Sequence, residues 1–274
     1  MVICRLLEQL LKSVYVFKCY VGLLGCCLCL LGCATDRPTQ ASLPILQYPA
    51  MSSSSANTSQ HSKTLMIFLP GRTDAPDMFE KKGLIQTVQQ RYPSIDAWVV
   101  DAHFGYYTER ILIPRMQQSV LHQARQLGYE QIWLVGVSIG GFGVLLSAAE
   151  NDRQLTGLIL IAPYLGNDRI LANLTRSADL AQWQPPRDLR SDDEAFIWPY
   201  LQRYRRGEKG LPKLYLLYGT EDRFAPANDF LAKQMPAQNV WRRSGKHDWS
   251  TWQALWQDWV RNTPERLANE RSTP

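Results

Sequence analysis

Beyond position 33 the sequence has no cysteine: all six, Cys4, Cys19, Cys26, Cys27, Cys29 and Cys33, sit near the N-terminus. No disulfide can therefore staple the body of the chain. Their surroundings, an apolar run without histidine or carboxylate, also lack the neighbours that orient metal ligands. Long basic blocks are missing too, and aromatics are not interleaved with Lys or Arg. The formal charge of +5 over 274 residues thus makes no nucleic-acid groove. Nothing matches a phosphate-cradling glycine loop, a haem motif or the His/Cys spacing of a metal site, so no cofactor and no metal is expected. What the chain does have is 45% apolar and 20% charged residues, ordinary for one globular domain large enough to bury a core, with extra sequence at its ends.

Residues 1 to 18 carry Arg5, Lys12 and Lys18 against one acid, Glu8, and lead into the uncharged run Cys19 to Leu31. A positive segment before an apolar run too short to cross a bilayer as a stable helix reads as an export signal. An ordinary cleaved signal and an uncleaved anchor are the competing readings. Leu30-Leu31-Gly32-Cys33 resembles the lipobox of bacterial lipoproteins, departing from it in a long basic region and an unusually Cys-rich apolar run. The resemblance implies that residues 1 to 32 are removed, that Cys33 is the lipid attachment site, and that the membrane is a partner. With Ala34 rather than Asp after the cysteine, it implies the outer membrane of a bacterial envelope, facing the periplasm.

Residues 33 to 62 are rich in Ser, Thr, Gln and Pro, with Ser52-Ser53-Ser54-Ser55 at the centre. They read as a solvated flexible tether with room for one early strand at Leu43 to Tyr48. From residue 63 to 274 the pattern is one domain of short apolar runs alternating with amphipathic segments. Strands are expected at Thr64 to Leu69, Ala97 to Asp101, Gln131 to Val137, Leu158 to Ala162, Lys213 to Tyr218 and, weakly, Asn239 to Arg242. Each is short, apolar and bounded by Gly, Pro or Asp, as strands buried on both faces are. Helical stripes fall between them: Ile113, Val120, Ala124 and Leu127; Phe142, Leu145, Leu146 and Ala149; and Trp249, Trp252, Trp256 and Trp259. The alternation predicts an α/β fold with a mainly parallel sheet flanked by helices. Residues 165 to 212 break the rhythm, being long, polar and Pro-punctuated with Trp183 and Trp198 embedded. This is expected to be a lid-like insertion.

The sequence Leu134-Val135-Gly136-Val137-Ser138-Ile139-Gly140-Gly141 runs from a strand through G-x-S-x-G into a helix. A nucleophilic serine needs such a turn, which lifts its hydroxyl above the sheet, and flanking glycines permit close backbone approach. The amide of Ile139, at the helix N-terminus, then faces the place where an oxyanion would form. Downstream come an acid just past a strand, in Tyr218-Gly219-Thr220-Glu221-Asp222, and a histidine, in Ser244-Gly245-Lys246-His247, before the Trp-striped helix. The order is serine, acid, histidine.

On these motifs the chain resembles the α/β-hydrolases of the esterase and lipase type over roughly residues 63 to 262. His247-Asp248-Trp249-Ser250-Thr251-Trp252 is similar to the histidine loop of esterase D-like members. The resemblance implies a Ser138, His247, Asp222 acyl-enzyme mechanism on a small-molecule or lipid ester or thioester. The family's first loop often reads His-Gly, whereas here it is Leu69-Pro70-Gly71-Arg72-Thr73-Asp74. The second oxyanion donor therefore stays open between the amides of Gly71 and Arg72. A contrasting reading keeps the fold without catalysis, as a binding module of the envelope; an intact set of three residues argues against it.

Several residues compete for roles. Asp168 follows a strand and is the alternative acid. Asp248 suits a helix N-cap better than catalysis, and Glu221 is expected to face solvent. His61 and His122 read as solvated, and His103 as structural. The four tryptophans, at spacings of 3, 4 and 3, form a packing face rather than a sugar platform. Phe104-Gly105-Tyr106-Tyr107 follows a strand on the side where substrates enter such sheets.

Overall fold

The computed structural model of the protein describes residues 37–51, 63–177, 179–185, 187–190, 193–263 and 267. The expected signal, Cys33, residues 52–62 of the tether and His61 lie outside them. Met1–Pro38 and Thr39–Pro274 form two separate units, and only residues 37 and 38 of the first are described.

In the second unit, seven strands form one sheet among the described residues: β1 (Ile45–Tyr48), β2 (Thr64–Leu69), β3 (Asp96–Val100), β4 (Gln131–Val137), β5 (Gly157–Ile161), β6 (Lys213–Gly219) and β7 (Val240–Arg243). Their order is β1-β3-β2-β4-β5-β6-β7. All pairs are parallel except β1, which runs antiparallel on β3 with Ile45 opposite Val100. β1 falls within the early strand expected at Leu43 to Tyr48. The backbone of β1 completes the edge of β3, and the buried Leu43 joins the core.

The helices are α1 (Met78–Lys81), α2 (Leu84–Arg91), α3 (Phe104–Thr108), α4 (Leu112–Arg115), α5 (His122–Gln126), α6 (Ile139–Asn151), α7 (Asp168–Thr175), α8 (Ile197–Arg205), α9 (Ala225–Ala232) and α10 (Trp249–Asn262). Alternate strand residues feed two cores. Leu65, Ile67, Leu69, Ile132 and Leu134 face the layer that includes α6, α8 and α9. Met66, Phe68, Trp133, Val135 and Val137 face the layer of α2 and α10. Burial on both faces is why the strands read as continuous apolar runs. No helix among the described residues is long and apolar enough to cross a membrane.

Two segments depart from the expected pattern. Between α4 and α5 the chain makes a π-helical stretch, Met116–Leu121. Such a stretch rotates the register, so Met116 and Leu121 join Val120 and Ala124 inside while Leu127 is exposed. The interval 165 to 212, expected to be lid-like, is largely part of the scaffold: α8 packs in the core through Ile197, Trp198 and Leu201. The Trp198 indole donates to the Leu165 carbonyl at 3.0 Å. Gln202, buried, donates to the carbonyls of Leu180 and Trp183 at 2.8 and 2.7 Å. Among the described residues of this interval, Glu194 alone lines the main cleft.

Candidate active site

The sheet order reverses at β2: β3 lies on one side of it and β4 on the other. Parallel α/β sheets open a crevice at the carboxyl ends of the strands flanking such a reversal. The loop after β2 carries Gly71 and Arg72, and the turn after β4 carries Ser138. Ser138 has φ 56° and ψ −118°, a conformation rare for a residue with a Cβ. It persists because the surroundings fix it. The Ser138 amide donates to the Ile161 carbonyl at 2.9 Å, and the Ser138 carbonyl accepts from the amides of Gly141 and Tyr164, each at 3.0 Å. A Cβ on Gly136 would strike the backbone of Gly140, and one on Gly140 would strike the Leu69 carbonyl. Both glycines are required by close backbone approach, and together they press the serine turn against β2.

The other two residues come from the strands beyond. Asp222 follows β6 and is buried; its Oδ1 accepts from the Phe224 amide at 2.8 Å. Its Oδ2 lies 2.7 Å from His247 Nδ1, and His247 Nε2 lies 2.9 Å from Ser138 Oγ. The imidazole is held edge-on between Phe224 and Trp252, with ring centroids at 4.9 Å on each side. Backbone ties join the histidine loop to the acid turn: the Glu221 amide donates to the Gly245 carbonyl at 3.0 Å, and the Thr220 amide to the Arg243 carbonyl at 2.8 Å. The structure thus brings Ser138, His247 and Asp222 into one hydrogen-bonded chain.

The competing residues fall elsewhere. Asp168 is exposed in the first turn of α7. Asp248 caps α10, its Oδ1 accepting from the Thr251 amide at 2.9 Å, a bond that holds its carboxyl below the usual carboxylate range. Glu221 is exposed and accepts from the Ser244 hydroxyl. His103 caps α3, with Nδ1 accepting from the Gly105 amide at 3.2 Å, and packs on Tyr106. His122 is exposed on α5. Trp252, Trp256 and Trp259 are buried under the sheet, whereas Trp249 is half-buried and donates to Asp74 Oδ1 at 3.0 Å. That bond ties the loop after β2 to the start of α10. A Cβ on Gly71 would lie 3.8 Å from the Ser138 Cβ, so the loop of the candidate oxyanion amides borders the serine. The amides of Gly71, Arg72 and Ile139 make no hydrogen bond within the described chain.

Ser138 and Ile139 open into a cleft of about 550 Å³, within the range of small-molecule sites. Phe104 and Tyr107 line it, as their position after β3 suggested, while Gly105 and Tyr106 are buried beneath. Burial pushes the Tyr107 hydroxyl pKa up, and that hydroxyl has no hydrogen-bond partner among the described residues. Lining residues that the sequence does not mark as such include Phe142, Tyr164, Arg223 and Phe224. The helical stripe marks Phe142 only as a packing residue. Arg223 and Phe224 directly follow the acid, so their position was a usable signal. Among the described residues no group of three or more His, Cys, Asp or Glu could hold a metal ion.

A mostly parallel sheet with this order, a strained serine turn after β4 and a cleft at its carboxyl edge define the α/β-hydrolase fold. Solved structures of similar fold include the S-formylglutathione hydrolase of Staphylococcus aureus. It matches with a TM-score of 0.53 at 14% identity, covering 83% of this chain and 98% of that one. A fluorophosphonate-binding serine hydrolase of the same organism matches with a TM-score of 0.52 at 11% identity, over 81% and 98% of the two chains. A monoacylglycerol lipase of Paleococcus ferrophilus matches with a TM-score of 0.51 at 13% identity, over 80% and 98%. No family model and no curated protein matches the sequence. At these identities the likeness is one of fold.

Proposed function

We propose that the chain is a serine hydrolase that cleaves carboxylic esters or thioesters through an acyl-enzyme. The observation that carries this reading is the hydrogen-bonded chain from Ser138 Oγ through His247 to the buried Asp222, open to a cleft. Ser138 Oγ attacks the acyl carbon while His247 Nε2 takes its proton. The tetrahedral oxyanion is met by the amide of Ile139 and by that of Gly71 or Arg72. Collapse expels the alcohol or thiol, which receives the proton from His247. Water, deprotonated by the same imidazole, then attacks the acyl-Ser138 ester and releases the acid. Asp222 accepts the Nδ1 proton's hydrogen bond throughout and stabilises the imidazolium. Esters and thioesters are favoured over amides by analogy, because the similar folds are named for an S-formylglutathione hydrolase and a monoacylglycerol lipase. Hydrolysis of a short p-nitrophenyl ester should disappear in Ser138→Ala; undiminished turnover in that variant would contradict the mechanism.

We further propose that the N-terminus anchors the enzyme on a membrane. Cys33 in its lipobox-like context would carry the acyl chains, each buried methylene contributing about 0.8 kcal/mol. Globomycin, which blocks lipoprotein signal cleavage, should leave an unprocessed precursor. Normal maturation under the drug excludes the lipid anchor.

A further inference from the structure

The cleft carries a charge pattern that hydrolysis alone does not require. Arg72, from the loop after β2, and Arg223, from the turn after β6, both line it. They approach Ser138 from two sides, one beside Gly71 and the other beside Asp222. Neither forms an ion pair with a carboxylate among the described residues. Each guanidinium instead lies over an aromatic ring of the same cleft: Arg72 over Phe104 at 4.1 Å and Arg223 over Phe224 at 4.9 Å. Stacking holds the face of a guanidinium and leaves its in-plane N–H donors directed outward, the geometry that binds carboxylates and phosphates.

Among the described residues, the one acid in that lining is Glu194, and its carboxylate is already engaged. It accepts from the Asn167 amide at 3.2 Å and the Asn167 side chain at 2.9 Å, and, second to burial, it pushes the Tyr164 hydroxyl pKa up. The cleft is thus an aromatic-walled slot with excess positive charge on both sides of the serine. A cleft lined by cations that carboxylates do not neutralise concentrates anions from solution.

We infer that the substrate of this site is an ester bearing its own negative charge, a carboxylate or phosphate, held by Arg72 or Arg223 while an apolar part lies against the aromatic walls. The inference rests on the serine-hydrolase reading and narrows it. Because the arginines stand on opposite sides of Ser138, the anion can belong to the acyl part or to the leaving group.

Two matched ester pairs test this on the full chain. One pair, mono-(4-nitrophenyl) glutarate and 4-nitrophenyl pentanoate, varies charge on the acyl side. The other, 4-butanoyloxybenzoate and its methyl ester, varies it on the leaving group. In at least one pair the anionic member should have the higher kcat/KM by about tenfold or more, expressed mainly in KM. Its preference should shrink in high salt and fall several-fold in Arg72→Gln and Arg223→Gln. The pair that responds identifies the side. Neutral esters preferred in both pairs, or a charge preference unchanged in both variants, overturns the inference and leaves the hydrolase reading intact, provided a fluorophosphonate still labels Ser138. If no ester is cleaved and no label appears, the hydrolase reading fails, and the inference with it.

Discussion

Ser138 and His247 stand 2.9 Å apart and are held in place by different means. The serine turn is fixed by backbone against backbone: Gly136 on Gly140, and Gly140 on the end of β2, with no space for even one methyl group. The histidine loop follows β7, a short and half-exposed edge strand. Its imidazole is fixed by the edges of Phe224 and Trp252 and by one carboxylate. The nucleophile thus rests on the rigid centre of the sheet, and the base on side chains at its margin. Substitutions around Ser138 should therefore be tolerated all-or-none, and substitutions around His247 by degrees.

The largest expected effect is on the carboxylate that orients the base. Asp222→Asn should leave the fold intact, because the amide oxygen can still accept from Phe224. It should lower kcat by about four orders of magnitude, because the imidazole is then presented in the wrong tautomer. A fall of less than tenfold in steady-state ester hydrolysis would remove Asp222 from the mechanism.

The contrast itself is broken or sharpened by comparing Gly140→Ala with Trp252→Ala. A methyl group at Gly140 has nowhere to go but into the Leu69 carbonyl, so this variant should lose activity and either fail to fold or unfold far more readily. Trp252→Ala empties a buried site and should cost about 3–5 kcal/mol. Where the variant folds, it should keep slow turnover, since the Asp222–His247 bond survives. Urea unfolding with parallel kinetics separates them; an active, stable Gly140→Ala would dissolve the distinction.

The smallest effect concerns the N-cap of α10. Asp248→Ala should cost about 1 kcal/mol, and Asp248→Asn less. The Thr251 amide depresses the Asp248 carboxyl pKa, so the stability it adds is present above the unfolded carboxylate range. That stability is lost as pH falls through the depressed value. The gap between wild type and Asp248→Ala in thermal unfolding should accordingly narrow in acid, and a gap that widens there would refute the capping role.

How much of this was legible in the sequence follows from the same physics. The central strands were, since strands buried on both faces are apolar throughout: β2 and β4 span the expected residues, and β3, β5 and β7 are offset by one. Serine, acid and histidine were legible because their spacing relative to strand ends is local. Residues 165 to 212 were not, because polar composition and prolines resemble a lid. Burial of Trp198 and Gln202 depends on contacts far apart in sequence, with Leu165 and Phe230 for the first and Leu180 for the second. The rotation at Met116–Leu121 was hidden for a related reason: one π-helical turn changes which stripe faces inward without changing composition. Arg72 and Arg223 were invisible as a pair, lying on loops that only the sheet order brings to one cleft.

The most direct test of the central claim is intact-protein mass spectrometry after treatment with a fluorophosphonate, followed by peptide mapping. The account predicts one covalent adduct, on Ser138, formed much more slowly in His247→Asn. An unmodified protein, or an adduct on a different serine, would contradict it.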